Sequence, residues 1–103
     1  MSQMEILHKE ENNGFLGLSY EPFMQGYVLH VELKDWSLSH YKRYLHIFSN
    51  VLDKLRSRGI VEVFGLCDTE KQVKFDLLFG FRDTGLKATG ESGNKMFILH
   101  LEV

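Results

Sequence analysis

The sequence predicts a single α/β (α+β) domain built on a mixed, mostly antiparallel sheet with two helices, in the order β-β-β-α-β-α-β-β. Three observations carry that prediction. Residues 27–34 alternate apolar and polar, residues 39–57 repeat apolar side chains at helical spacing, and residues 60–67 form a mostly apolar run between Gly59 and Asp68. A strand, an amphipathic helix and a buried strand in succession imply a parallel crossover. The shorter strands on either side imply hairpins, hence a mixed sheet.

The elements follow in order. Met4 to Lys9 reads as a strand, and Phe15 to Tyr20 returns after the turn Glu11-Asn12-Asn13-Gly14, because Asn and Gly tolerate positive φ. The stretch from Glu21-Pro22 to Gly26 breaks that return strand. From Tyr27 to Lys34, Tyr27, Leu29, Val31 and Leu33 point one way, and Val28, His30, Glu32 and Lys34 the other, as in a strand with one buried face. Between Ser39 and Ser57, Tyr41, Tyr44, Leu45, Phe48, Val51, Leu52 and Leu55 keep the i, i+3, i+4, i+7 spacing of an apolar helical stripe. Ser37 or Ser39 supplies the N-cap and Gly59 the stop. Ile60 to Cys67 reads as a well-buried strand. Asp68 or Thr69 caps a short helix through Phe79, with Val73 and Leu77 or Leu78 inward, and Gly80 ends it. Phe81 to Leu86 and Met96 to Val103 are strands around the turn-rich residues 89–94. In the last of them Phe97, Leu99, Leu101 and Val103 alternate with Met96, Ile98, His100 and Glu102.

A chain of 103 residues is sized for one core and one domain spanning 1–103. Its net charge of −2, from 12 basic and 14 acidic residues, disfavours a nucleic-acid surface, which needs a concentrated cationic excess. The one cysteine, Cys67, has no second thiol to pair with, so nothing points to secretion, and it reads as a small core filler. The first residues, MSQMEILHKEENN, carry charge where a leader needs an apolar run, and no stretch has the ~18 apolar residues of a membrane span. The expected location is the cytoplasm, of a cell or of a viral host. His8, His30, His40, His46 and His100 share no metal-ligand spacing, so no metal is expected, and His30 and His100 read as solvent-facing.

The stretch Gly80-Phe81-Arg82-Asp83-Thr84-Gly85 resembles the segment of GNAT acetyltransferases in which a short helix ends in Gly-Phe-Arg and runs into the next strand. The buried strand, the polar cap and Phe75 precede it in the family's order. The resemblance covers residues 4–103 and matches a GNAT domain from its second strand onward, so it implies a truncated GNAT-like domain without the family's first helices. Trp36-Ser37-Leu38-Ser39 and the basic helix start after it also resemble short GNAT-like proteins encoded by tailed bacteriophages.

In the family, a loop of the type Gln/Arg-x-x-Gly-x-Gly/Ala at the start of the main helix holds the acetyl-CoA pyrophosphate on backbone amides. Here that stretch is Trp36-Ser37-Leu38-Ser39-His40-Tyr41-Lys42-Arg43, and no glycine lies between Gly26 and Gly59. The family's proton-donating Tyr, four residues before the Gly of Gly-Phe, is replaced by Asp76, an acid that is ordinarily ionised near neutral pH. The family's Asn and Ala in that helix align with Thr69 and Gln72.

The resemblance therefore implies a degenerate cofactor loop. Ser39, His40, Lys42 and Arg43 are the candidate anion site, set against a solvated basic face. Glu32 is the candidate general base, set against an ordinary exposed strand residue. Trp36 is either a core cap or a partner anchor. The expected function is a binding or assembly module that uses no cofactor and pairs with a second copy or another protein, without nucleic acid, membrane or metal. The alternative is a minimal acetyl-CoA-dependent N-acetyltransferase.

Overall fold

The computed structural model of the chain describes residues 3–11, 13–34, 37–90 and 92–103, with Leu38 described by its backbone alone. Trp36 lies outside the described residues. Among the described residues are six strands and two helices: β1 (Glu5–Glu10), β2 (Gly14–Glu21), β3 (Gly26–Leu33), α1 (Leu38–Ser57), β4 (Glu62–Cys67), α2 (Glu70–Leu77), β5 (Arg82–Thr89) and β6 (Lys95–Glu102). The strands form one sheet in the order β1-β2-β3-β4-β6-β5. All neighbours are antiparallel except β3 and β4, which the α1 crossover makes parallel. The predicted element order and mixed sheet are the observed ones.

Register decides which side chains share a face. Leu16 lies opposite Val31 and Leu18 opposite Leu29, while Val63 lies opposite Leu101 and Gly65 opposite Leu99. These residues form the floor on which α1 lays Tyr44, Phe48, Val51 and Leu55, all buried in one apolar cluster. Fully burying such a side chain is worth roughly 1.5–3 kcal/mol, so this stripe is what holds α1 to the sheet. The helix starts at Ser37, whose Oγ accepts the His40 N–H at 3.3 Å. It stops at Gly59, where φ of +81° is easy for glycine and costly for other residues.

Helix α2 starts the same way, with Thr69 Oγ1 accepting the Gln72 N–H at 3.1 Å. The turn that ends α2 packs beside α1 through rings: Phe79 lies 5.1 Å from Phe48 and 5.8 Å from Tyr41, and 5.2 Å from Phe75 of α2. Both helices therefore sit on one face of the sheet.

The structure corrects four details. Val73 points inward as expected, but its inward partners are Asp76 and Phe79, while Leu77 and Leu78 are 44% and 48% exposed. The helix rolls to bring Asp76 onto β4 and Phe79 onto Phe48, which turns Leu77 and Leu78 outward. Leu45 is 37% exposed, at the margin of the α1 stripe. Val28, assigned to the polar face of β3, is fully buried, because it sits at the one Cα pairing of β3 with β4, opposite Phe64. His100 is not solvent-facing. It is 8% exposed, edge-on to Phe64, with Nε2 2.9 Å from Glu62 Oε2.

Candidate functional site

Strands β3 and β4 pair at Val28 and Phe64 alone and then diverge. Parallel strands that separate towards their C-terminal ends leave a slot in the sheet. Here Leu29, His30, Val31 and Glu32 line one wall, Leu66 and Cys67 the other, and Gln72, Phe75 and Asp76 of α2 close it. The slot opens into a cavity of about 750 Å³ bounded by Val31 to Lys34 at the end of β3 and by Lys71, Gln72, Lys74, Phe75 and Leu78 of α2. That volume lies in the usual range for a small-molecule site, and it sits at the C-terminal end of the parallel pair of β3 and β4.

Asp76 is the buried acid of this slot. It is 8% exposed, and Cys67 Sγ donates to its Oδ2 at 3.1 Å. Gly65 makes room for it: a Cβ on that glycine would lie 3.2 Å from Oδ2. Burial pushes the Asp76 carboxyl up to about 6, against the opposing effect of the Cys67 hydrogen bond. From the sequence alone this carboxyl is ordinarily ionised, and the burial that raises it is set by the fold. Burial, followed by the Asp76 charge, pushes the Cys67 thiol far above its ordinary value, so it stays protonated and unreactive. On the other wall, His30 Nε2 lies 2.8 Å from Ser19 Oγ. Burial lowers its pKa, with Glu21 and Glu32 pulling the other way. His30 is thus half-buried, not solvent-facing as expected.

The candidate residues read from sequence separate into two places. Glu32 is exposed and lines both the slot and the larger cavity. Ser39, His40, Lys42 and Arg43 lie on the first turns of α1 and line neither. Ser39 Oγ is 3.1 Å from the capping Ser37 Oγ. His40 Nδ1 is buried, with no hydrogen-bond partner among the described residues, and Lys42 is exposed. Arg43 turns towards β1 and grips Glu10 with both guanidinium nitrogens, one at 3.0 Å, while its guanidinium carbon lies 5.1 Å from the Tyr44 ring centroid. Tyr44 donates its hydroxyl to the same carboxylate at 2.7 Å. The Arg43 and Tyr44 hydrogen bonds hold Glu10 well below the usual carboxylate range, and burial together with Glu10 raises Tyr44 to about 12.

Sequence reasoning missed Lys34, Lys71 and Lys74 as a set. The signal was there: Lys71, Lys74, Phe75 and Leu78 fall at i, i+3, i+4, i+7, one stripe of α2. Read as ordinary helix surface, that stripe did not announce that the end of β3 faces it across a cavity.

No protein-family model matches the chain, and no curated protein does. A provisionally assigned acetyltransferase from Agrobacterium tumefaciens has a similar solved structure. The TM-score is 0.54 at 15% identity, over 100% of this chain and 75% of that one. The likeness shows the fold alone, one shared with that acetyltransferase. No described helix is long and apolar enough to cross a membrane, and no described cluster of His, Cys, Asp or Glu could hold a metal ion.

Proposed function

We propose that this chain is a binding module on a GNAT-like fold, with the cleft between β3, β4 and α2 as its ligand site and without acetyl transfer as its role. The observation that carries the reading is a mismatch at the start of α1. The cleft is open, but at the helix start Ser37 caps the His40 amide and Arg43 is clamped to Glu10, which leaves Lys42 as the exposed cation there. No glycine lies between Gly26 and Gly59 to let a phosphate approach the backbone. The residues present at that helix start do not fit the cofactor.

A second reading, a minimal N-acetyltransferase, is favoured by one arrangement: Glu32 and the raised acid Asp76 are both on the walls of the slot. Calorimetric titration with acetyl-CoA, with a thiol-release assay on simple amines at pH near 6 and near 8, separates the two. We expect affinity too weak for physiological use and no thiol release. Turnover that is lost in Glu32→Gln and Asp76→Asn would replace the binding reading with the enzyme reading.

Self-association belongs to the same proposal. The sheet face opposite the helices carries Phe15, Val28, Phe64, Leu66 and Ile98 by strand alternation, Val28 buried and the other four half-buried, with no described helix over it. A symmetric second copy is the common remedy for such a face. Sedimentation at micromolar concentration is expected to give a dimer, and a clean monomer would remove this part. Kinship with short bacteriophage-encoded proteins, drawn from Trp36-Ser37-Leu38-Ser39, is proposed on sequence alone. Homologues confined to cellular chromosomes would remove it.

A further inference from the structure

The larger cavity has two chemically distinct halves. Phe75 and Leu78 of α2 face Val31 and Leu33 of β3, giving an apolar interior. Lys71 and Lys74, one turn earlier on the same helical stripe, form with Lys34 a cationic rim. All three lysines are exposed, and none has an ion-pair partner among the described residues. Glu32 is the one carboxylate among the described residues of the lining, so three cations face one acid there, in a chain whose net charge is −2.

A local excess of one sign beside apolar walls concentrates ligands of the opposite sign. Lysine ammonium groups on flexible stems suit a phosphate, which accepts hydrogen bonds from any direction and needs no fixed fork. The paired cations at the start of α1 offer no such rim, since Arg43 is committed to Glu10.

We propose that the cleft binds an organic phosphate of nucleotide size, its charged head read by Lys34, Lys71 and Lys74 and its apolar body by Phe75, Leu78, Val31 and Leu33. This rests on the cleft being the ligand site, and it names that ligand's class. The anion is read from the α2 side of the cleft, and the start of α1 takes no part.

The test titrates the full chain with adenosine 5′-diphosphate, adenosine and decanoate, followed by calorimetry and by backbone amide shifts over residues 71–78. The diphosphate is expected to bind about ten-fold tighter than adenosine, because charge-assisted hydrogen bonds are the stronger kind. Its affinity should fall by about ten-fold in Lys71→Gln/Lys74→Gln and fall with added salt. Lys54→Gln, a loss of charge near the far end of α1, should leave it unchanged. Adenosine or decanoate binding as tightly as the diphosphate overturns the phosphate assignment and leaves the cleft reading standing. Diphosphate binding that the double variant does not weaken overturns the lysine assignment. No shift over residues 71–78 with any probe overturns the cleft reading itself. Circular dichroism of the double variant guards against misfolding, and both lysines are solvent-exposed.

Discussion

The start of α1 and the cleft beside α2 look alike in sequence and differ in chemistry. Each helix is capped by a hydroxyl residue, Ser37 or Thr69, whose oxygen accepts an N–H three residues on. Each carries two cations in its first turns, Lys42 and Arg43 in one and Lys71 and Lys74 in the other. At α1 the neighbouring strand supplies Glu10, which takes Arg43 and a buried Tyr44 hydroxyl and is held ionised far into the acid range. At α2 the cations stay unpaired among the described residues, and the nearby carboxylate, Asp76, is buried and pushed the opposite way. A capped, basic helix start thus keeps its cations free or loses them to a carboxylate according to what the sheet presents to it.

Phe48 joins these two regions, so it gives the largest expected effect. It is 3% exposed, and its ring meets Phe79 at 5.1 Å and Phe81 at 6.2 Å. Phe48→Ala should cost ~3–5 kcal/mol in urea unfolding, the range for an emptied aromatic site. The cleft should loosen with it, because Phe79 anchors the end of α2. A loss below ~1 kcal/mol would mean that α1 and α2 pack independently, and the comparison would then concern two unconnected parts.

Much of the fold was legible because its signals are local. The alternation from Tyr27 to Leu33 and the stripe of Tyr44, Phe48, Val51 and Leu55 specify a strand and a helix without reference to any partner. The candidate site was less legible, since its properties come from contacts distant in sequence. Glu32 was placed correctly on the outer face of β3, but nothing in the chain near Arg43 says that Glu10 waits across the sheet. Likewise Asp76 reads as an ordinarily ionised acid until Gly65 and Cys67 of β4 are seen to enclose it. Val28 and His100 were misread for the same reason: burial on the second face of a strand depends on the neighbouring strands, here through Phe64.

The smaller effect, and the sharper test of the contrast, is the pH dependence of stability. Asp76 has an ordinary value of 3.8 and is raised to about 6 in the fold. The native state therefore keeps a proton that the unfolded chain has already released between pH near 4 and near 6. Stability from this group is full below about 4, declines as pH rises through about 6, and stays lost above it. A shift of this size corresponds to about 2–3 kcal/mol. Asp76→Asn is neutral throughout, so its stability relative to the wild type should rise by that amount from pH near 4 to pH near 7. Glu10 runs the other way. Its folded value is depressed, so its contribution is present above the ordinary 4.5 and fades as pH falls below it. Glu10→Gln should therefore be least harmful in acid, with a smaller effect because its Arg43 partner is at the surface and screened by salt. Urea unfolding of both variants and the wild type across pH near 3 to 8 checks the two signs together, since all other groups cancel in the differences. A flat difference for Asp76→Asn would mean that water reaches that carboxyl, and that the slot is wetter than its enclosure by Gly65 and Cys67 implies.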